Sequence, residues 1–192
     1  MNETLTIPRA LNERVVRGSA VTNVMLVLAA SGIIAIAAQI AINVPFTPVP
    51  LTMQPIAVLL VGVILGARRG AAAAALYLAE GAMGMPVFAQ FHGGAIWLAG
   101  LTAGYLWSYP LAAFVAGWFS ERNWGSTVPR AIAGMLVALA VIYAGGWSWL
   151  AIFTGARQAF AAGVAPFVAA DIVKIAIAAA LLPAGQKLIA RA

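Results

Sequence analysis

This 192-residue sequence has no cysteine and a single histidine, His92. The lack of cysteine excludes disulfides, thiolate chemistry and cysteine metal sites, and one histidine leaves no plausible metal cluster. Charged residues are also scarce, at 8% of the chain, whereas an ordinary soluble domain has roughly 25%. With 64% hydrophobic residues and a mean hydropathy of +0.98, the chain is predicted to be an all-α, polytopic integral membrane protein.

Several functional signatures are missing as well. No glycine-rich loop is followed by Lys-Ser or Lys-Thr, so the sequence has no Walker A motif for ATP. No Ser-His-Asp set or paired carboxylates are visible, so we expect no enzyme activity, no catalytic residue and no cofactor. The apolar segments lack the alternation of barrel strands. An internal inverted repeat, which would favour a self-sufficient secondary transporter, is not seen.

Apolar runs separated by proline, glycine and charge predict six membrane spans. They cover residues 21–42, 51–67, 70–83, 99–119, 130–153 and 166–188. The connection PFTPVP, at 45–50, carries three prolines in six residues and is predicted to be extended and stiff. Residues 84–98, with Pro86 and a Gly-Gly pair, are predicted to be irregular backbone lining a cavity or lying against protein.

Membrane topology explains the formal net charge of +6 better than nucleic-acid binding does. With six spans, the basic residues at or beyond the ends of the spans gather on one side of the membrane, which the positive-inside rule makes cytoplasmic. These residues are Arg9, Arg14, Arg17, Arg68, Arg69, Arg122, Arg130, Lys187 and Arg191. Only Arg157 falls on the other side. The sequence therefore predicts cytoplasmic N- and C-termini, a cytosolic arm over 1–19 rather than a signal peptide, and a single six-helix membrane domain over 20–192.

Two charged residues, Asp171 and Lys174, stand three positions apart in the otherwise apolar sixth span. Each charge near the bilayer centre costs about 2.5–3.5 kcal/mol on insertion scales, so the pair needs a reason. An internal ion pair that locks helices together is one reason, and a polar ligand that meets both charges is the other. The residues alone leave these two open.

The predicted topology brings the polar and irregular features to the outer half of the bundle. The 45–50 loop, the 84–98 segment, the 154–165 loop and the start of the sixth span all lie there. The sequence thus predicts a cavity that opens to the outside, not a continuous channel. His92 would be a loop residue near the lipid headgroups unless it faces this cavity. Glu80, in the third span, is expected to reach the interface or pair with a cation.

Four stretches together resemble the BioY family, the biotin-specific S components of energy-coupling factor transporters. They are AQIAINVPFTPVPLTMQ, ILGARRGAAAAALYLAEGAMGMPVFAQF, LAGLTAGYLWSYPLAAFVAGW and PFVAADIVKIAIAAALLP. The resemblance covers about residues 20 to 188. It implies a multi-pass protein of the bacterial plasma membrane that binds biotin from outside and hands it inward. It also implies two kinds of partner, a transmembrane coupling subunit and a pair of ATPases, and leaves self-association open.

The resemblance assigns the substrate-binding roles to Asp171 and Lys174, to Gln90 after the PVFA sequence, and to Tyr105 in the GYL sequence. The small residues Ser31 and Ala35 of the first span would contact the coupling subunit. Biotin's ureido ring has two N–H donors and one carbonyl, which suit a carboxylate and an ammonium group. The apolar bicycle would suit Phe88, Trp97 and Tyr105, and the two remaining candidates, Gln54 and His92, are polar.

The chain departs from the family pattern at three places. Residues 99–106 read AGLTAGYL without the family's proline, Glu80 replaces a usually apolar residue, and the small-residue motif is Ser-xxx-Ala. Two other classes stay open: an S component for a different vitamin, and a stand-alone carrier or scaffold without an ATPase. Biotin's valerate could instead meet Lys174 or Arg157, so the residues leave the orientation of the ligand undecided.

Overall fold

The computed structural model describes residues 20–191, with side-chain surroundings for all of these except Gly125 and 183–191. The predicted arm at 1–19 and the side chains of Lys187 and Arg191 lie outside the described part. Seven α-helices are found in it: α1 Ala20–Gln39, α2 Gln54–Leu65, α3 Ala67–Ala82, α4 Ala103–Glu121, α5 Val128–Thr154, α6 Ala156–Gly163 and α7 Ala165–Arg191. Short 3₁₀ turns lie at Ala89–Phe91, Ala95–Leu98 and Trp124–Ser126.

Three of these helices are long and apolar enough to cross a membrane, namely α1, α5 and the Ala165–Leu182 part of α7. Each predicted span contains one helix, but α2 has only 12 residues and α3 only 16. At 1.5 Å per residue these two fall short of a bilayer core of about 30 Å. The side chains of α2 are mostly buried inside the bundle, so this helix is held by protein contacts rather than by lipid.

The structure corrects three boundaries. Residues 156–163, predicted to be loop, form α6, which is separated from α5 by Gly155 with φ +82°. The connection between α2 and α3 is the single residue Gly66, so Arg68 and Arg69 lie in the first turn of α3 rather than in a loop. The fourth helix begins at Ala103, not at 99, because residues 95–102 first form a 3₁₀ turn and bends.

The proline-rich connection closes a short hairpin. Strand β1, Ala41–Ile42, pairs antiparallel with β2, Leu51–Thr52. Within the connection, as its prolines predict, no helix forms. The Thr47 hydroxyl donates to the Ala162 carbonyl oxygen at 2.6 Å. This bond ties the loop to α6, so the hairpin lies across the end of the bundle where α6 joins α7.

At the opposite end α2, α3 and α4 meet almost backbone to backbone. A Cβ atom added at Gly62 would lie 2.2 Å from the Ala113 carbonyl oxygen, and one at Gly117 would lie 2.3 Å from the Ala67 nitrogen. Glu121 accepts a hydrogen bond from that same Ala67 N–H at 2.8 Å. A side chain of α4 thus caps the free first turn of α3. These contacts close this end tightly and leave the space at the hairpin end.

Candidate functional site

A cavity of about 390 Å³ lies at the hairpin end of the bundle. Its wall is formed by the proline-rich loop, the 3₁₀ segments, the first turns of α2, α4 and α7, and the middle of α5. The volume falls in the range of small-molecule sites, which is about 300–1,000 Å³. Seven of the eight predicted substrate-binding residues line it: Gln54, Phe88, Gln90, His92, Trp97, Tyr105 and Asp171. Of the four segments predicted to converge, the 45–50 loop, the 84–98 segment and the start of the sixth span contribute to the wall, whereas no residue of 154–165 lines it.

The Asp171 carboxylate is the charged group in the wall of this cavity. Its Oδ1 accepts from Lys174 Nζ at 2.9 Å and its Oδ2 accepts from the Tyr143 hydroxyl at 2.7 Å. The side chain of Asp171 is only 5% exposed. An ionised carboxylate offers about four acceptor positions, and two are used here. Asp171 is therefore held in place from both sides and can still accept N–H groups from a ligand.

Lys174 lies beside the cavity rather than among the residues that line it. Its ammonium group also donates to the Thr52 carbonyl oxygen of β2 at 2.9 Å. The ion pair thus fastens α7 to the hairpin. An ammonium group has three donors, so one remains after these two bonds. The two interpretations of the pair, an internal ion pair that holds helices together and a site for a polar ligand, are therefore compatible in this geometry.

Aromatic side chains form the apolar part of the wall, and each is fixed by a partner. The Tyr105 hydroxyl donates to the Gly163 carbonyl oxygen at 2.6 Å. The Phe88 ring meets Tyr77 edge to face at 5.5 Å between centroids. The rings of His92 and Trp97 stack at 3.9 Å. Rings held in this way present a preformed flat surface to an apolar ligand body.

Gln54, in the first turn of α2, is buried beneath the hairpin. Its amide nitrogen donates to the Tyr77 hydroxyl at 2.5 Å, and its backbone N–H donates to the Thr52 hydroxyl at 3.3 Å. Its side-chain carbonyl oxygen accepts from the Thr52 hydroxyl at 3.5 Å, so one amide hydrogen and one acceptor position of that oxygen remain. Gln54 joins the floor of the cavity to α3 through Tyr77.

Other predicted residues lie away from the cavity. Arg157 is exposed on α6 and does not line it. Glu80 accepts a hydrogen bond from the Ser31 hydroxyl, which is a neutral partner rather than a cation. Ser31 is fully buried by this contact, whereas Ala35 is half-buried. Contact of Ser31 and Ala35 with a coupling subunit stays a prediction.

Sequence reasoning missed Tyr143, which holds one oxygen of Asp171 and lines the cavity. A signal was present, because this tyrosine interrupts the middle of the apolar fifth span instead of lying at its end, where interfacial tyrosines gather. Gly146, three residues on, has no room for a side chain: an added Cβ would lie 2.1 Å from the Tyr105 ring. Tyr105 therefore enters the cavity wall across a glycine of α5.

The fold defines a class of membrane protein. It matches a crystal structure of the S-component for biotin from an ECF-type ABC transporter, with a TM-score of 0.78 over 87% of this chain and 92% of that chain, at 20% sequence identity. At this identity the match establishes the fold: an S-component bundle, mostly helical, with apolar helices suited to a membrane.

Sequence comparison gives the family. The model of the BioY family matches residues 8–191. The "Probable biotin transporter BioY" of Pyrococcus horikoshii is 44% identical over 71% of this chain and 80% of its own. The "Biotin transporter BioY" of Rhizobium etli is 38% identical over 82% of this chain and 89% of its own. The chain belongs to the BioY family, as its four motif stretches indicate.

Proposed function

We propose that this chain captures biotin in the cavity beside Asp171 and serves as the substrate-binding S subunit of an energy-coupling factor transporter. One observation carries the proposal beyond family membership: a buried carboxylate, braced by Lys174 and Tyr143, faces a cavity with an aromatic wall. A buried charge with spare acceptor capacity is costly unless a ligand uses it.

The chemistry of biotin fits these groups. One ureido N–H donates to Asp171, and the ureido carbonyl accepts from Lys174 beside the cavity, through charge-assisted hydrogen bonds. The apolar bicycle lies against Phe88, Trp97 and Tyr105. Gln54, Gln90 and His92 supply polar contacts around the ring or at the mouth. In this orientation the valerate points toward the outside.

The distribution of charge supports a six-span arrangement with both termini in the cytoplasm of a bacterial cell. Among the described residues, Arg68 and Arg69 begin α3 and Arg122 follows α4. These ends lie opposite the cavity, because α3 ends and α4 begins at the cavity segment 84–102. By the positive-inside rule the arginine end is cytoplasmic and the cavity faces outward.

We infer that transport needs partners. The sequence contains no nucleotide-binding motif, so a transmembrane coupling subunit and ATPases would supply the work of moving biotin inward. Of the two residues predicted to contact the coupling subunit, Ala35 is half-buried on α1 and accessible in part, whereas Ser31 is buried within the chain. Membrane lipid surrounds the remaining apolar helix faces. A stand-alone carrier remains the alternative, and co-purification with ATPase subunits separates the two.

Binding of radiolabelled biotin to the purified chain in detergent tests the function. Desthiobiotin keeps the ureido group and is expected to compete. Lipoate has a similar carboxylate tail but no ureido group and is not expected to compete, and neither is thiamine. Competition by lipoate as well as by desthiobiotin would show that the carboxylate tail, which both share with biotin, is the recognised end, and would reverse the proposed orientation. Binding of thiamine without biotin would assign the chain to a different vitamin.

A further inference from the structure

The turn from Phe88 to His92 is held by a side chain that does not line the cavity. Gln39, the last residue of α1, donates from Nε2 to the carbonyl oxygens of Phe88 at 3.2 Å and of Val87 at 3.3 Å. Its Oε1 accepts from the Phe91 N–H at 2.9 Å. Nε2 also donates to the Ala35 carbonyl oxygen of its own helix at 3.1 Å, so its two hydrogens are shared among three carbonyl acceptors. All these partners are backbone atoms.

The turn needs such support because its backbone is unusual. Gln90 and Phe91 both have positive φ, +61° and +59°, although neither is glycine. Two consecutive residues in the left-handed region are disfavoured for L-amino acids and persist only where the surroundings hold them. The chain closes the turn itself with two backbone bonds, from the Phe88 N–H to the His92 carbonyl oxygen at 2.9 Å and from the His92 N–H to the Ala89 carbonyl oxygen at 3.4 Å. Gln39 supplies the partners of the Phe88 carbonyl oxygen and of the Phe91 N–H.

The conformation of this turn decides which side chains reach the cavity. Phe88, Gln90 and His92 all line it and come from this one turn. His92 stacks on Trp97, and its Nδ1 lies 2.8 Å from the Ala89 carbonyl oxygen. If Gln90 and Phe91 relaxed to negative φ, the direction of the chain would change between Phe88 and His92. The cavity would then lose its arrangement of three lining residues.

We propose that Gln39 is a positioning residue for ligand binding: its side-chain amide holds the Phe88–His92 turn in the binding conformation. This inference rests on the proposed function, since the ligand used to measure it is biotin. Gln39 acts without touching the ligand. Its loss leaves the turn free to sample other conformations, and binding must then restore the ordered one, which lowers the apparent affinity.

Hydrogen exchange and biotin binding, measured on the purified full-length chain, test the proposal. Gln39→Met keeps the size of the side chain and removes every hydrogen bond of the amide, and Gln39→Ala removes the side chain. Both are expected to speed exchange in a peptide covering residues 87–92 in the absence of ligand. Both should raise the Kd for biotin by about tenfold or more, the range for losing hydrogen bonds in an ordered turn. Gln158→Ala, on exposed α6, is the matched control and should change neither.

A double variant separates positioning from general stability. If Gln39 acts through the turn that carries Gln90, the loss of affinity in Gln39→Met/Gln90→Ala is smaller than the product of the two single losses. The proposal is overturned if Gln39→Met exchanges at 87–92 like the wild type and binds biotin with unchanged affinity. It is also overturned if the loss of affinity in the double variant equals the product of the two single losses. Faster exchange throughout α4 and α5 in Gln39→Met also overturns it, because the residue would then stabilise the whole bundle. A wild-type chain that binds no biotin refutes the proposed function, while the exchange at 87–92 still decides the role of Gln39.

Discussion

Replacing Asp171 by asparagine separates the two roles of its ion pair with Lys174. The change is nearly isosteric but removes the charge that neutralises Lys174, whose side chain is 16% exposed. Breaking one partner of a buried pair costs about 3–5 kcal/mol, because the other charge is left uncompensated. The bond from Lys174 to the Thr52 carbonyl oxygen remains. We therefore expect the free energy of unfolding to fall by the lower end of this range, about 3 kcal/mol. Biotin binding should weaken by at least about 1.5 kcal/mol, or roughly tenfold, for a lost hydrogen bond to a charged group.

The second variant, Asp171→Asn/Lys174→Met, removes both charges. Replacement of a buried ion pair by neutral groups is often close to neutral for stability, so its thermal unfolding in detergent should recover toward that of the wild type. Its affinity for biotin should not recover, since both groups that meet the ureido ring are gone. Glu121→Gln, at the opposite end of the bundle, is the matched control and should bind like the wild type.

The assays are thermal unfolding of the detergent-solubilised chain and equilibrium binding of radiolabelled biotin. If Asp171→Asn inserts normally and binds with wild-type affinity, the pair is structural only. If the double variant regains both affinity and stability, the pair is again structural only. The single variant would then have lost affinity because it left the ammonium group of Lys174 without a counter-charge.

Three further outcomes are expected. Tyr143→Phe removes one of the two bonds that hold Asp171 and should weaken biotin binding about threefold to tenfold; an unchanged Kd would exclude a role in positioning the carboxylate. Ala35→Trp should leave biotin binding intact and block co-purification with the coupling subunit, whereas lost binding with retained assembly would contradict the assignment. The chain has no native cysteine, so a cysteine placed at Gln90 can be labelled specifically. It should react from outside in the isolated protein and from the cytoplasm during turnover of the full transporter. A cysteine that stays external while biotin enters would refute movement of the cavity.

The helix positions were predictable because long apolar runs end at proline, glycine or charge. The charged pair was predictable for the same reason: Asp171 and Lys174 have no other charge near them in their span. Convergence of the cavity segments then followed from counting spans, since alternate connections lie on the same side of a membrane. These inferences need only the local sequence and the number of crossings.

The features that sequence reasoning missed depend on tertiary contacts. Helix α6 has only eight residues, too few for a reliable periodic pattern or for stability in isolation. It is held in the bundle through its Gly163 carbonyl, which accepts from Tyr105, and its Ala162 carbonyl, which accepts from Thr47. The role of Gln39 was equally hidden, because its partners are backbone atoms of a turn whose conformation only the folded chain defines.

The two ends of the bundle differ in a way that bears on transport. At the cavity end, loops and side chains enclose a space, and hydrogen bonds such as Thr47 to Ala162 can break singly. At the other end, the backbones of α2, α3 and α4 touch at Gly62 and Gly117. A path for a polar ligand through that end would have to separate these helices and leave backbone groups without partners, at several kcal/mol for each group. We therefore infer that the bundle moves as a whole, so that the cavity end reaches the cytoplasm while the contacts at Gly62 and Gly117 stay closed.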